Sequence, residues 1–86
     1  MNKNELIAII KKKLEANIKL KNLKIEDKSF LHKGHSGNQE GKFHLKISIE
    51  SEELKKMTKI NSNKKIYKII ESEVAEYIHS IQILIS

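Results

Sequence analysis

The chain of 86 residues contains no cysteine, no proline and no tryptophan, and it has only two phenylalanines and two tyrosines. Without cysteine it can form no disulfide, so any metal must be held through histidine or carboxylate side chains. The lack of cysteine is also compatible with a reducing compartment. The few aromatic rings leave little surface on which nucleic-acid bases could stack. These absences exclude a disulfide scaffold and a cysteine-based zinc module.

Arginine is absent too, so the basic charge comes from lysine alone. Seventeen lysines oppose eleven acidic residues, which gives a formal net charge of +6. A basic surface is compatible with nucleic acid, an acidic partner or an anionic membrane. Arginine is the residue best suited to bidentate contacts with phosphate and guanine, so its absence weakens any contact of this kind. We interpret the scattered lysines as a solvated basic face.

No long apolar segment is present. Residues 6–10 are apolar, but the run is too short for the core of a signal peptide or for a membrane span, and three lysines follow it. We therefore expect a cytoplasmic protein without a membrane partner. A chain of this length has room for one domain, residues 1–86, with a thin hydrophobic core.

Periodic patterns predict a helix at the start of the chain. Leu6, Ile10 and Leu14 recur at helical spacing. Asn4 is the predicted N-cap of a helix that begins at Glu5, whose carboxylate suits the positive end of the helix dipole. The apolar positions predict the face that this helix buries.

Two strands and an intervening loop are predicted next. Apolar and polar residues alternate over residues 23–31 and, most regularly, over residues 42–50. In the second of these strands His44 is predicted on the polar face, beside Lys46. The three glycines of the chain lie between the strands and predict a flexible loop, so the two strands should form an antiparallel hairpin.

A short helix, a longer helix and a last strand complete the predicted order αββααβ. Ser51 is expected to cap the short helix, and residues 61–63 (Asn-Ser-Asn) to separate it from the longer one. Ile81, Ile83 and Ile85 predict the last strand by their alternation. A strand reached through helices usually runs parallel to the strand before it. The predicted fold class is α+β, a mixed three-stranded sheet with helices on one face.

Four histidines are the only candidate ligands for a transition metal. His32 and His35 are spaced like a ligand pair, but no second pair completes a zinc pattern, which favours an ordinary polar loop. His79 lies where the longer helix should end, so the residues alone favour a C-terminal cap, in which a cationic imidazole meets the negative end of the helix dipole. His44 can equally be a surface or hydrogen-bonding residue of its strand. No catalytic constellation is visible, and we expect no enzymatic activity.

Three segments resemble those of a known family. They read Asp-Lys-Ser-Phe-Leu-His at residues 27–32, Lys-Phe-His-Leu at residues 42–45 and Ile-His-Ser-Ile at residues 78–81. In this order they resemble the BolA-like family, which carries an Asp-x-Ser-x-x-His strand end, a His-Phe strand and an Ile/Val-His-Ala-Leu segment. The family fold is similar to the type II KH arrangement. Residues 62–67 depart from the family pattern, because they keep its Ile-Tyr pair and lack its arginines and histidine.

The resemblance implies an adaptor that partners a monothiol glutaredoxin and shares a [2Fe-2S] cluster with it and with glutathione. It implies His79 as one ligand, His32 as the favoured second ligand and His35 as its near rival, with His44 ranked below them. Replacing two thiolates with neutral imidazoles would raise the potential of the cluster, as in Rieske centres. No cluster is expected in the isolated protein. The alternative is a small DNA-binding transcriptional regulator with a KH-like fold.

Overall fold

The structure, a computed structural model, describes residues 2–28 and 43–86. No helix within these ranges is long and apolar enough to cross a membrane. The predicted order of elements is confirmed, except that the longer helix is divided in two. The described elements are α1 (Lys3–Asn17), β1 (Asn22–Asp27), β2 (Phe43–Glu50), α2 (Glu52–Lys55), α3 (Lys59–Ile69), α4 (Glu71–Tyr77) and β3 (Ile78–Ile85).

The three strands form one sheet with β2 in the middle. β1 runs antiparallel to β2, with Asn22 opposite Glu50 and Asp27 opposite Leu45. β3 runs parallel to β2, as expected for a strand that is reached through intervening helices. The predicted α+β fold class with a mixed three-stranded sheet is therefore confirmed.

The hydrophobic core forms where helices pack on the sheet. α1 buries Leu6, Ile10 and Leu14, the three positions that its periodicity predicts. Each buried aliphatic side chain contributes about 1.5–3 kcal/mol relative to its exposed state, so a core this small depends on most of its members. The buried apolar side chains that join those of α1 are Ile18, Leu45, Ile47, Ile49, Leu54, Ile66, Ile70 and Ile78.

α1 begins earlier than the sequence predicts. Asn2, and not Asn4, is the N-cap, because its Oδ1 atom accepts a hydrogen bond of 2.8 Å from the backbone N–H of Glu5. The side-chain amide of Asn2 donates in turn to Glu5 Oε1 at 2.8 Å. Two asparagines lie within one turn, and this reciprocal pairing with Glu5 selects the first of them. The predicted cap of α2 is confirmed at Ser51.

The prediction of a helix break at residues 61–63 is wrong, since these residues lie inside α3. The hydroxyl of Ser62 and the amide of Asn63 both donate to the carbonyl oxygen of Lys59, at 3.0 and 2.7 Å. Polar side chains that often end a helix are satisfied here within it. The helical path breaks instead at Ile70, where φ is −107° and ψ is 23°.

Candidate ligand site at the start of β3

His79 is the second residue of β3, and no loop separates this strand from the preceding helix. α4 ends at Tyr77, and Ile78 already has the extended backbone of a strand, with φ −114° and ψ 123°. The sequence-based prediction of a helix-to-strand junction at this point is confirmed. The junction places His79 at the end of the sheet where the parallel strand β2 also begins.

The register between β2 and β3 shifts at His79. Phe43 lies opposite Ile78 and His44 lies opposite Ser80, so no residue of β2 is paired with His79. An extra residue of this kind is a β-bulge, which twists the strand locally and redirects a side chain. Ile78 is buried in the core, whereas His79 is exposed. The bulge thus presents the imidazole of His79 to solvent from a regular element of the fold.

His44 lies beside His79 and is buried, with only 3% of its surface exposed. The two imidazole rings pack edge to face, with centroids 4.9 Å apart and ring planes inclined at 60°. The Nδ1 atom of His44 lies 2.6 Å from the hydroxyl oxygen of Ser80. The sequence left two simpler roles open for His44, that of a surface residue and that of a hydrogen-bonding residue. The second role is confirmed, and the first is wrong.

The backbone of His44 also joins β2 to the end of β1. The N–H of Lys28 donates to the carbonyl oxygen of His44 at 2.6 Å, directly after the pairing of Asp27 with Leu45. The chain therefore leaves β1 next to His44. Residues 29–42 lie outside the described residues, and with them His32, His35 and the predicted glycine loop.

Acidic residues of α4 precede the site along the chain. The negative charge of Glu76, followed by its hydrogen bond, raises the pKa of the Tyr77 hydroxyl, and burial and Glu73 add to the effect. These groups disfavour the anionic form of the phenol. Within residues 2–28 and 43–86, no three His, Cys, Asp or Glu side chains come together to hold a metal ion. Ligation at His79 would need donors from elsewhere.

Sequence reasoning did not identify the contact of Ser80 with His44. Alternation predicts which residues of a strand share a face, but pairing across strands requires the register. The bulge at His79 shifts that register, and the segment Ile78-His79-Ser80 contains no glycine of the kind that marks some bulges. No signal in the sequence therefore points to the pair.

Fold and site together define a class of small α+β protein, in which a mixed three-stranded sheet presents an exposed histidine from a bulge at the start of its last strand. The family described as BolA-like protein matches residues 14–86. The chain therefore belongs to the BolA-like family, as the resemblance predicted.

Solved structures of BolA proteins share the fold. The BolA domain of SufE1 from Arabidopsis thaliana has a TM-score of 0.78 and 23% identity over 100% of this chain and 93% of that chain. BolA1 from Arabidopsis thaliana has a TM-score of 0.75 and 23% identity, over 92% of this chain and 87% of that chain. BolA1 from Mus musculus has a TM-score of 0.74 and 20% identity, over 92% of this chain and 62% of that chain. No curated protein matches the chain in sequence. At such identities the likeness establishes the fold.

Proposed function

We propose that this chain is a cytoplasmic, non-enzymatic adaptor that forms a heterodimer with a monothiol glutaredoxin around a shared [2Fe-2S] cluster. Its role would lie in the assembly or transfer of clusters, or in iron regulation. One observation carries the proposal: the exposed imidazole of His79, set on a bulge in a chain of the BolA-like family. Imidazole nitrogen is an established ligand of [2Fe-2S] iron, as in Rieske centres.

The donor chemistry of the chain fits a cluster that two proteins share. The chain has no cysteine, and the part that the structure describes brings no three candidate donors together. Thiolates would therefore come from the glutaredoxin cysteine and from glutathione, and this chain would supply imidazoles. An exposed ligand at the end of a sheet is accessible to a partner protein, whereas a buried one is not. When bound, the cluster would supply the link between the two proteins.

The second imidazole is predicted to be that of His32, with His35 as the alternative. Both lie outside the described residues, so their placement stays a prediction. The segment that carries them joins Lys28 to Phe43, and these flanking residues lie next to His44 and opposite Ile78 respectively. Lys28 and Phe43 thus both lie at the end of the sheet where His79 is located, which supports a shared site there.

The test is anaerobic reconstitution of the protein with a monothiol glutaredoxin, iron, sulfide and glutathione, followed by visible absorption and circular dichroism. The mixture is expected to give a spectrum distinct from that of the glutaredoxin homodimer. His79→Ala should lose this spectrum, and His79→Cys should retain a cluster with a shifted spectrum because a thiolate replaces the imidazole. Gln82→Ala, an exposed change in the same strand, is the matched control and should behave like the wild type.

Two results would contradict the proposal. If His79→Ala forms the same complex with an unchanged spectrum, His79 is not a ligand. If the wild-type protein leaves the homodimer spectrum unaltered, the adaptor function fails and binding of DNA becomes the leading alternative. A gel-shift titration then tests that alternative, since lysine-driven binding would be sequence-independent and would weaken steeply with salt.

A further inference from the structure

The side chain of His44 is buried although it lies on the face of the sheet opposite the hydrophobic core. Leu45, Ile47 and Ile49 of β2 point into the core, so strand alternation directs His44 to the opposite face. It is nevertheless only 3% exposed, and its Nδ1 atom is bonded to Ser80. Burial of a polar ring is unfavourable unless hydrogen bonds within the protein replace those that the ring would make with water. Packing in the core therefore does not account for a histidine at this position.

The position of His79 supplies a reason. Because His79 is the extra residue of a bulge, it lacks the partner residue in β2 that orients ordinary side chains of a strand. Its exposed imidazole contacts the ring of His44, whose centroid lies 4.9 Å away. A ring held by Ser80 on one side thus limits the orientations open to the neighbouring ring. A side chain ordered before binding loses less conformational entropy when it binds.

We infer that His44, held in place by the hydroxyl of Ser80, positions the imidazole of His79 for ligation. His44 is a positioning residue in this arrangement, because its ring is buried and packs against the exposed ring of His79. The inference rests on the proposed function. Residues that orient metal ligands through hydrogen bonds typically change metal affinity by about 10- to 100-fold when they are replaced, and we expect an effect of this order from the ring contact.

Variants of the pair separate the ring of His44 from its hydrogen bond. His44→Asn keeps a polar atom near the place of Nδ1 and removes the ring, while His44→Phe keeps a ring and removes the polar atoms. Ser80→Ala removes the hydroxyl that holds His44. Ser48→Ala is the control, because Ser48 lies on the same face of β2 and is paired farther along the sheet, with Leu84.

The first measurement is the χ1 rotamer of His79 in the free protein, obtained from three-bond NMR couplings. The wild type, Ser48→Ala and His44→Phe are expected to show one dominant rotamer, and His44→Asn to show averaging among rotamers. A merely structural role of His44 would lower the thermal stability of the variant without releasing His79. If the rotamer of His79 in folded His44→Asn equals that of the wild type, the inference is wrong.

The second measurement is the rate at which the reconstituted heterodimer loses its cluster to a chelator. His44→Asn is expected to lose it about 10- to 100-fold faster than the wild type, with partial rescue in His44→Phe. If His44→Asn does not fold, Ser80→Ala decides, because Ser80 is exposed and its replacement should be tolerated. Ser80→Ala should also speed the loss, and a rate equal to that of Ser48→Ala would overturn the inference.

The two measurements distinguish failure of the inference from failure of the proposed function. If the wild-type protein forms no cluster-bridged complex, the proposed function fails and the inference falls with it. If the complex forms and depends on His79 but not on His44, only the inference is wrong. Free rotation of His79 in His44→Asn, together with faster loss of the cluster, supports both.

Discussion

The ammonium nitrogen of Lys13 lies 2.7 Å and 2.9 Å from the two carboxylate oxygens of Glu73, a residue 60 positions later in the chain. This ion pair joins α1 to α4, the helix that leads directly into the strand of His79. The side chain of Glu73 is 9% exposed and that of Lys13 is 39% exposed. A nearly buried carboxylate is tolerated when it is paired, so Lys13 holds α4 in place.

We predict that Lys13→Met destabilises the protein, because it leaves the Glu73 carboxylate without this partner. The free energy of unfolding, measured by urea denaturation, should fall by about 1–3 kcal/mol. Lys12→Met, an exposed change in the same helix, should have little effect. The double variant Lys13→Met/Glu73→Gln should recover part of the loss, since no unpaired charge remains. Equal effects of Lys12→Met and Lys13→Met would disprove the role of the pair.

Ser51 gives a second prediction, because its hydroxyl joins two parts of the chain. The oxygen accepts from the N–H of Leu54 at 3.3 Å as the cap of α2, and the hydroxyl donates to the carbonyl of Lys19 at 2.9 Å. Ser51 is also buried. Ser51→Ala should therefore lower the free energy of unfolding by about 1–2 kcal/mol. Ser72→Ala, at an exposed position of α4, is the control, and indistinguishable denaturation midpoints would refute the prediction.

The pH dependence of stability should reflect Glu53. The hydrogen bond from the Lys65 ammonium group, and then that from the backbone N–H of Lys19, lower the pKa of the Glu53 carboxyl below its usual 4.5. A carboxyl group with a lowered pKa in the folded state stabilises the protein above its unfolded pKa. This contribution is lost as the pH falls through the folded pKa.

The stability of Glu53→Gln relative to the wild type should accordingly depend on pH. The variant should be less stable at neutral pH, and the difference should shrink as the pH falls below 4.5. Thermal unfolding midpoints at a series of pH values measure this difference. Glu15→Gln, at an exposed position, controls for the change in net charge. A difference that stays constant through the acidic range would rule out a linked carboxyl.

The two described histidines should differ in their effect on stability. His79 is exposed, so His79→Ala is expected to change the free energy of unfolding by no more than about 0.5 kcal/mol. His44 is buried and bonded to Ser80, so His44→Ala should reduce it by about 1–3 kcal/mol. Urea denaturation of the two variants provides the comparison. A large destabilisation by His79→Ala would mean that His79 serves the fold.

Helix and strand positions were largely predictable, because each element buries one face. The spacing of Leu6, Ile10 and Leu14 indicates which face of α1 packs against the core, and the alternation along β2 does the same for that strand. Element ends were less predictable. Asn2 rather than Asn4 caps α1, and the Asn-Ser-Asn sequence at residues 61–63 continues a helix. Polar residues near a helix have several possible partners, and local sequence does not choose among them.

The candidate site, too, was predictable from the sequence only in part. Apart from the division of the longer helix into α3 and α4, the sequence by itself determined the order of the elements. It also determined the family and the place of His79 at a change from helix to strand, because periodicity and short motifs are local properties. Only the tertiary structure decided that His79 stands on a bulge with His44 packed against it. Ser80 and His44 are 36 positions apart, and they meet because parallel pairing of β2 with β3 shifts its register there. Such a shift results from the packing of the whole sheet and leaves no mark in either strand alone.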